Sequence, residues 1–123
     1  RWEKKNPMPR NVDRRYVTDC EFAVWAVKKG AKWTFNKPEE VSYLKPVITT
    51  GVVPGGKKRL HPTQKHLEVL EKLVKVHTNE GDLVFDPFLG SGTTAVACKN
   101  NNRNVIGSEI EKEYYDITMR RLE

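Results

Sequence analysis

A short apolar run, a glycine turn and a helical pattern together constrain the fold of this chain most strongly. Residues 83–85 (Leu-Val-Phe) are typical of a buried strand, and residues 94–98 (Thr-Ala-Val-Ala-Cys) continue as a helix. Between them, Gly90 and Gly92 allow a tight turn and a close approach of backbone to ligand, because glycine has no Cβ. Asp86 lies where the strand ends. Ligands of open α/β sheets bind at this edge, beside helix N-termini, so the pattern predicts a cofactor cradle.

The spacing of the glycines is by itself a weak signal. Gly90-x-Gly92-x-x-Ala95 satisfies the dinucleotide-binding fingerprint, but ordinary structural turns satisfy it too. A phosphate-binding P-loop is excluded because no Gly-Lys-Ser/Thr follows. Residues 104–109 (Asn-Val-Ile-Gly-Ser-Glu) read as the next strand, and Glu109 stands roughly 20 residues after the glycines. In this βαβ context a ribose-binding carboxylate is favoured over an exposed strand-end acid.

A second segment precedes this unit. Residues 60–65 (Leu-His-Pro-Thr-Gln-Lys) stand directly before an amphipathic run whose apolar side chains recur at helical spacing. Taken locally, the segment is a helix entrance, with Pro62 in the first turn and Thr63 as the N-cap. The pattern therefore predicts a helix over residues 64–77.

Together the two segments resemble the β class of DNA amino-methyltransferases, which transfer a methyl group from S-adenosylmethionine (SAM) to the exocyclic amine of adenine or cytosine. In that class a His-Pro-Thr-Gln-Lys segment, a helix, an Asp-Pro-Phe-x-Gly-Ser-Gly-Thr-Thr loop, a strand ending Ile-Gly-x-Glu and a Tyr-containing helix follow one another. The chain carries these pieces in the same order at residues 61–65, 86–94, 106–109 and 114–115. His66 replaces the proline usual in the class, which is expected to alter only the helix start.

The resemblance implies an α/β fold, part of a Rossmann-like SAM-dependent methyltransferase sheet with helices on its faces. Residues 1–123 are expected to form the C-terminal part of one catalytic domain. Within it we predict late sheet strands over residues 1–29, a short DNA-recognition segment over residues 30–59 and a SAM-binding βαβ region over residues 60–123. The predicted strands lie at residues 2–5, 21–28, 33–35, 42–49, 83–86 and 105–109, and the predicted helices at residues 64–77, 92–100 and 112–121.

The resemblance also implies where the methyl donor binds. Asp86, Gly90 and Gly92 would shape the loop around the methionine part of SAM, and Glu109 would bind the ribose hydroxyls. The residues that would further line the donor pocket are Phe88, Thr93, Thr63, Gln64 and Lys65. Because the methyl group of a sulfonium is already activated, such residues have chiefly to position it and exclude water.

The catalytic tetrapeptide of the class, Asp/Ser/Asn-Pro-Pro-Tyr/Trp, does not occur in these 123 residues, which contain no Pro-Pro dipeptide. In the β class this motif lies N-terminal to every segment matched here, and the sequence starts at Arg1 within a strand-like run. We therefore expect the C-terminal part of a longer enzyme. It carries no catalytic residue of its own, is inactive alone and works with the missing N-terminal part as its partner.

Charge is distributed unevenly along the chain. Residues 1–65 contain 15 Lys and Arg against 6 Asp and Glu, whereas residues 66–123 contain 7 against 10. Because neutralised phosphates release counterions, a basic surface of this kind favours DNA, although a merely solvated basic face is the alternative. The residues predicted to contact DNA are Lys57, Lys58, Arg59, Arg14 and Arg15.

Resemblance to adenine-modifying members, notably over residues 6–11 and 86–94, favours the N6 of adenine as the target. The alternatives are an N4-cytosine methyltransferase, a non-catalytic DNA-binding module derived from one, and an NAD-dependent oxidoreductase. The oxidoreductase would explain the glycines but not residues 61–65. No run is long enough to span a membrane and the histidines form no metal set. With Cys20 and Cys98 as reduced core thiols, we expect a cytoplasmic protein of a bacterial or phage-type restriction-modification system.

Overall fold

The structure is a computed structural model that describes residues 1–7, 13–53, 55 and 59–123. Five strands and three helices are found in this part of the chain. In chain order they are β1 (Trp2–Lys4), β2 (Cys20–Glu21), β3 (Ile48–Thr50), α1 (Leu67–His77), β4 (Leu83–Asp86), α2 (Thr93–Asn100), β5 (Asn104–Gly107) and α3 (Lys112–Leu122).

The C-terminal half contains the predicted βαβ unit. Strands β4 and β5 are parallel, with Leu83 opposite Asn104 and Asp86 opposite Gly107, and α2 connects them. Parallel neighbours require such a crossover, which confirms the predicted order of strand, glycine turn, helix and strand. Strand β5 ends at Gly107, two residues earlier than predicted, so Glu109 lies in the segment beyond the strand.

The hydrophobic core lies between the helices and one face of β4 and β5. Val74 of α1 and Ala97 and Cys98 of α2 are buried together. The partly buried residues packed against them are Leu67, Leu70, Val84 and Val105. Burial raises the pKa of the Cys98 thiol, because a thiolate would be poorly solvated there. Cys98 is therefore a structural thiol, as the sequence indicated.

The opposite face of β4 and β5 is uncovered. Leu83, Phe85 and Ile106 point away from the helices, and 67% of the Phe85 surface is exposed. Parallel sheets in α/β proteins are usually covered on both faces. This apolar face therefore has the character of a surface that packs against a further layer.

The N-terminal half forms a separate three-stranded sheet with β1 in the middle. Strand β1 pairs antiparallel with β2, Trp2 opposite Glu21, and parallel with β3, Trp2 opposite Ile48. Trp2 is buried, and its Nε1 donates a hydrogen bond to Thr50 Oγ1 over 2.8 Å. The indole thereby fixes β1 against β3.

Three predicted strands are corrected. In place of the strand predicted over residues 21–28 the structure has the two-residue strand Cys20–Glu21. Residues 33–35 form no strand, and in place of the strand predicted over residues 42–49 the structure has Ile48–Thr50. The physical reason is the lack of ladder partners in the described part of the chain, since a strand exists only when a neighbour pairs with it. Phe22 and Val24, which suggested a buried strand, are largely exposed.

The segment between β2 and β3 is anchored at the C-terminal end of α1. Asn36 donates from its backbone N–H to Val76 O over 2.7 Å and from Nδ2 to Lys75 O and Thr78 O over 3.1 and 2.9 Å. These bonds satisfy carbonyls that a helix end leaves without N–H donors. Three aromatic rings pack beside this anchor, those of Trp25, Phe35 and His77.

The helix ends follow the sequence more closely at α2 than at α1. Helix α2 ends at Asn100, the predicted residue, and beyond it Asn102 adopts the left-handed conformation with φ 57°. Helix α1 begins at Leu67, three residues later than predicted. Its N-cap is His66, which makes no side-chain capping bond, so Thr63 is not the cap.

Candidate cofactor site

The turn between β4 and α2 is built on two left-handed glycines, with φ of 56° at Gly90 and 77° at Gly92. At the start of the turn, Asp86 Oδ1 accepts a hydrogen bond from the Phe88 N–H over 3.0 Å. An aspartate that bonds the backbone two residues on is a common turn device. The motif therefore forms the tight reversal that its sequence predicted.

The two glycines have different neighbours. A Cβ on Gly92 would lie 2.6 Å from Cγ2 and Oγ1 of Thr118, whereas a Cβ on Gly90 would meet only the His61 ring, at 3.8 Å. The absence of a side chain at Gly92 therefore leaves room for Thr118 of α3 to pack against the turn. This role was not foreseen, since both glycines were predicted to admit a ligand.

Glu109 joins the end of β5 to the glycine turn. Its Oε2 accepts a hydrogen bond from the Gly90 N–H over 2.7 Å, and its Oε1 accepts one from the Glu111 N–H over 2.9 Å. These backbone donors, that of Glu111 first, lower the pKa of the Glu109 carboxyl below its ordinary value. Each carboxylate oxygen has a second lone pair, so the ionised group can still accept hydrogen bonds from a ligand.

Two hollows adjoin at Phe88. The first is a cavity of about 120 Å³ lined by His61, Thr63, Gln64, Lys65, Leu70, Asp86, Phe88, Leu89, Ser91, Thr93 and Thr94. The second, of about 290 Å³, is lined by Pro87, Phe88, Ser108, Glu109 and Ile110. Six residues predicted for the donor pocket thus line the first hollow, and Glu109 lines the second. Gly90 and Gly92 line neither and form the turn beside them.

The segment before α1 folds back on itself next to the first cavity. The Thr63 N–H donates to His61 Nδ1 over 3.2 Å, and Gln64 Oε1 accepts a hydrogen bond from the Leu60 N–H over 2.8 Å. These local bonds compete with helix capping, which explains why α1 starts only at Leu67. They present Thr63 and Gln64 to the cavity in a fixed turn.

Lys65 is tied to the N-terminal sheet. Its Nζ lies 2.5 Å from Glu21 Oε2, and Lys4 Nζ lies 2.8 Å from Glu21 Oε1. Partial burial opposes ionisation of Glu21, but the hydrogen bonds and charges of the two ammonium groups outweigh it and lower the pKa of Glu21. Lys65 therefore fixes the 61–65 segment to strand β2 as well as lining the cavity.

The residues predicted to contact DNA are only partly described. Arg14 and Arg15 are exposed in a turn. Arg59 is half-buried, and its Nη2 donates a hydrogen bond to Val53 O over 2.9 Å, so part of its guanidinium serves the local fold. Lys57 and Lys58 lie outside the described residues. Within the described ranges no helix is long and apolar enough to cross a membrane, and no group of three or more His, Cys, Asp or Glu side chains could hold a metal ion.

Sequence reasoning missed the contribution of helix α3. Tyr114, Thr118 and Arg121 recur at intervals of four and three residues and so share one face of the helix. This face contacts His61 and the backbone of the glycine turn. The spacing of these three residues was readable in the sequence, but the surface they contact was not, because the contacts join residues between 28 and 53 positions apart.

Comparison with known proteins identifies the family. A profile of the DNA methylase family, whose designation covers N6 and N4 methyltransferases, matches residues 1–120. The chain belongs to the N6/N4 DNA methylase family. The resemblance to DNA amino-methyltransferases is thereby confirmed, and the oxidoreductase alternative loses its support.

Curated relatives of this DNA methylase chain are bacterial. It is 39% identical over 132 residues to the type II methyltransferase M2.DpnII of Streptococcus pneumoniae, a match that covers 99% of this chain and 49% of the relative. It is 37% identical to the type II methyltransferase M2.LlaDCHI of Lactococcus lactis subsp. cremoris, with 98% and 48% covered. The chain thus spans about half the length of the curated relatives it matches.

Solved structures confirm the α/β Rossmann-like fold. The M1.HpyAVI–SAM complex superimposes with a TM-score of 0.87 at 57% identity, covering 99% of this chain and 59% of that one. The PvuII DNA methyltransferase, described as cytosine-N4-specific, superimposes with a TM-score of 0.77 at 21% identity, covering 99% and 49%. At that identity the second likeness concerns the fold alone.

Proposed function

We propose that this chain is the SAM-binding part of a DNA methyltransferase that modifies the N6 of adenine. The observation that carries the proposal is the convergence of the 61–65 segment, the Asp86–Thr94 loop and Glu109 around two hollows that share Phe88. The 57% identity with a protein crystallised with SAM supports the choice of cofactor.

The size and chemistry of the hollows suit SAM. Each is small, but taken together they come within the roughly 300–1,000 Å³ typical of ligand pockets. An ionised Glu109 offers acceptors for two ribose hydroxyls, and Phe88, which is largely exposed, offers an apolar wall between the hollows. When bound, SAM supplies an activated methyl group. The chain's own residues, among them those of the 61–65 turn, orient it.

The methyl acceptor requires residues that this sequence does not contain. We propose that the chain acts together with an N-terminal part that carries the Pro-Pro tetrapeptide, and we call the combined protein the intact enzyme. The uncovered face formed by Leu83, Phe85 and Ile106 supports this proposal, because a second layer on the sheet would bury it. A non-catalytic DNA-binding module is the competing possibility.

We expect residues 1–123 alone to transfer no methyl group to DNA. The sequence lacks the tetrapeptide that, by the resemblance, holds a target amine swung out of the duplex. The measurement is the transfer of labelled methyl groups from SAM to DNA by the purified chain, with the intact enzyme assayed in parallel. Methyl transfer by the chain alone would refute the proposal that the N-terminal part is required. No transfer by either protein would favour the non-catalytic module.

The proposed target base rests on the resemblance of residues 6–11 and 86–94 to adenine-modifying members. Adenine and cytosine both present an exocyclic amine to the same donor, so the donor site does not distinguish them. DNA methylated by the intact enzyme should yield N6-methyladenine when it is digested to nucleosides and analysed by mass spectrometry. N4-methylcytosine without N6-methyladenine would overturn the adenine assignment and leave the donor site untouched.

The affinity for DNA should fall steeply as the salt concentration rises, because the N-terminal half is basic. Changing Lys57 and Lys58 to Gln in the intact enzyme should reduce the slope of log affinity against log salt by roughly 2, since each phosphate contact contributes about 0.9. Lys75→Gln, at an exposed position near the end of α1, is the matched control and should leave the slope unchanged. Fluorescence anisotropy at several salt concentrations gives the slope, and equal slopes in all variants would exclude the predicted contacts.

Because its substrate is DNA and its curated relatives are bacterial, we place the proposed enzyme in the cytoplasm of a bacterium or of a phage-infected cell.

A further inference from the structure

One face of helix α3 lies against the glycine turn. The Tyr114 ring packs edge-on against His61 with ring centroids 4.2 Å apart. One turn further along, Thr118 reaches Gly90 and Gly92, and Arg121 reaches Ser91. A single helix thus contacts both segments that line the first cavity, although it lines neither hollow itself.

Thr118 makes two contacts with the turn. Its side chain is almost fully buried, at 1% exposure, and its Oγ1 donates a hydrogen bond to Gly90 O over 3.0 Å. Its methyl group occupies the space that a side chain at Gly92 would need. A buried hydroxyl requires a partner, and this one has a backbone carbonyl of the turn itself.

Arg121 makes the second attachment. Its Nη1 donates a hydrogen bond to Ser91 O, and partial burial lowers the pKa of its guanidinium. No carboxylate in the described part of the chain lies within ion-pair distance of it. Desolvating an arginine without an acidic partner is unfavourable, so the carbonyl of Ser91 is the group that compensates it here.

These contacts fix the orientation of the peptide planes in the turn. The Gly90 N–H is held by Glu109, the Gly90 carbonyl by Thr118 and the Ser91 carbonyl by Arg121. In a trans peptide the carbonyl of one residue and the N–H of the next point in opposite directions. Since the Gly90 carbonyl points to α3, the N–H of Ser91 points away from α3, and Ser91 lines the first cavity.

We propose that Thr118 and Arg121 are positioning residues for the methyl donor, which hold the Gly90–Gly92 turn so that the Ser91 N–H faces the cavity. The inference rests on the proposed function, in that the cavity is taken to bind SAM. Neither residue touches the donor, and both act through the backbone that does.

The test compares variants of the intact enzyme. Thr118→Val keeps the shape but removes the hydrogen bond, and it should raise the Kd of SAM in calorimetry by about 3- to 10-fold. The KM for SAM should rise in parallel while kcat at saturating SAM stays close to that of the wild type. Thr118→Ser restores the hydroxyl and should bind SAM within about twofold of the wild type.

A matched control separates positioning from general stability. Thr78 Oγ1 also donates to a backbone carbonyl, that of Val74, but Thr78 lines neither hollow. Thr78→Val should lower the Tm and leave the Kd of SAM unchanged. If Thr118→Val behaves in the same way, the positioning role is overturned.

Two further results complete the test. Arg121→Gln removes the hydrogen bond to the Ser91 carbonyl independently of Thr118, and it provides the test if Thr118→Val does not fold. It should raise the Kd of SAM by a similar factor, and an unchanged Kd would contradict the inference. If the wild-type enzyme itself does not bind SAM, the proposed function is wrong. If the wild type binds SAM and the variants bind it equally well, only the positioning role is wrong.

Discussion

Glu109→Ala in the intact enzyme is expected to weaken SAM binding by about 10- to 150-fold, the range expected when a ligand loses hydrogen bonds to a charged group. Two effects act in the same direction. The ribose hydroxyls lose their acceptor, and the N–H groups of Gly90 and Glu111 lose the carboxylate that holds them. Titration calorimetry measures the change directly.

Two comparisons sharpen this prediction. Glu113→Ala, at an exposed acid in the first turn of α3, should leave the affinity unchanged. Because the pKa of Glu109 is lowered, its carboxylate is ionised throughout the neutral range. Protonation of Glu109 should therefore not weaken SAM binding between pH 8 and about pH 5, and should do so only in stronger acid. An unchanged affinity in Glu109→Ala would remove the ribose assignment.

In the intact enzyme, Gly92→Ala is expected to lower the free energy of unfolding by about 2–4 kcal/mol. A left-handed φ of 77° disfavours any residue with a Cβ, and the new methyl group would lie 2.6 Å from the Thr118 side chain. Since Thr118 is buried in α3, the clash pushes the helix away from the turn. Urea denaturation followed by circular dichroism gives the difference.

The chain contains a control for the conformational part of this loss. Gly81 has a similar φ of 82°, but nothing lies within 4 Å of the position of its Cβ. Gly81→Ala should therefore lower the free energy of unfolding by only about 1–2 kcal/mol. Thr118→Ala should partly rescue Gly92→Ala and should not rescue Gly81→Ala. Equal losses in the two glycine variants would show that the contact with α3 contributes nothing.

The C-terminal half could be predicted because its signals are local. The apolar run at residues 83–85 and the two glycines each determine a backbone conformation within a few residues. Their order then leaves a parallel βαβ unit as the natural arrangement. The end of β5 was misplaced by two residues because Ser108 and Glu109 continue the sequence pattern after the ladder has ended.

The N-terminal half could not be predicted in the same way. Apolar residues such as Phe22 and Val24 indicated a buried strand, but a strand also needs a neighbour, and the sequence does not show which segments pair. Thr63 is a good N-cap by type, yet its backbone N–H bonds His61 and the helix begins later. A missing ladder partner overrode the residue preference in the first case, and a local hydrogen bond overrode it in the second.

The site shows the same division between local and distant contacts. Asp86, Phe88, Thr93 and the 63–65 segment were predicted to line one pocket by family resemblance, and the structure places them around one cavity. The role of Gly92 in admitting Thr118 depends on the packing of α3, which no local pattern reveals. Their binding of SAM stays a prediction.

A crystal structure of the intact enzyme with SAM tests the central claim most directly. We predict that the methionine part occupies the cavity beside Asp86 and the 63–65 segment, that the donor passes Phe88, and that both ribose hydroxyls lie within hydrogen-bond distance of the Glu109 carboxylate. SAM bound elsewhere, or bound with its ribose out of reach of Glu109, would contradict the proposed site.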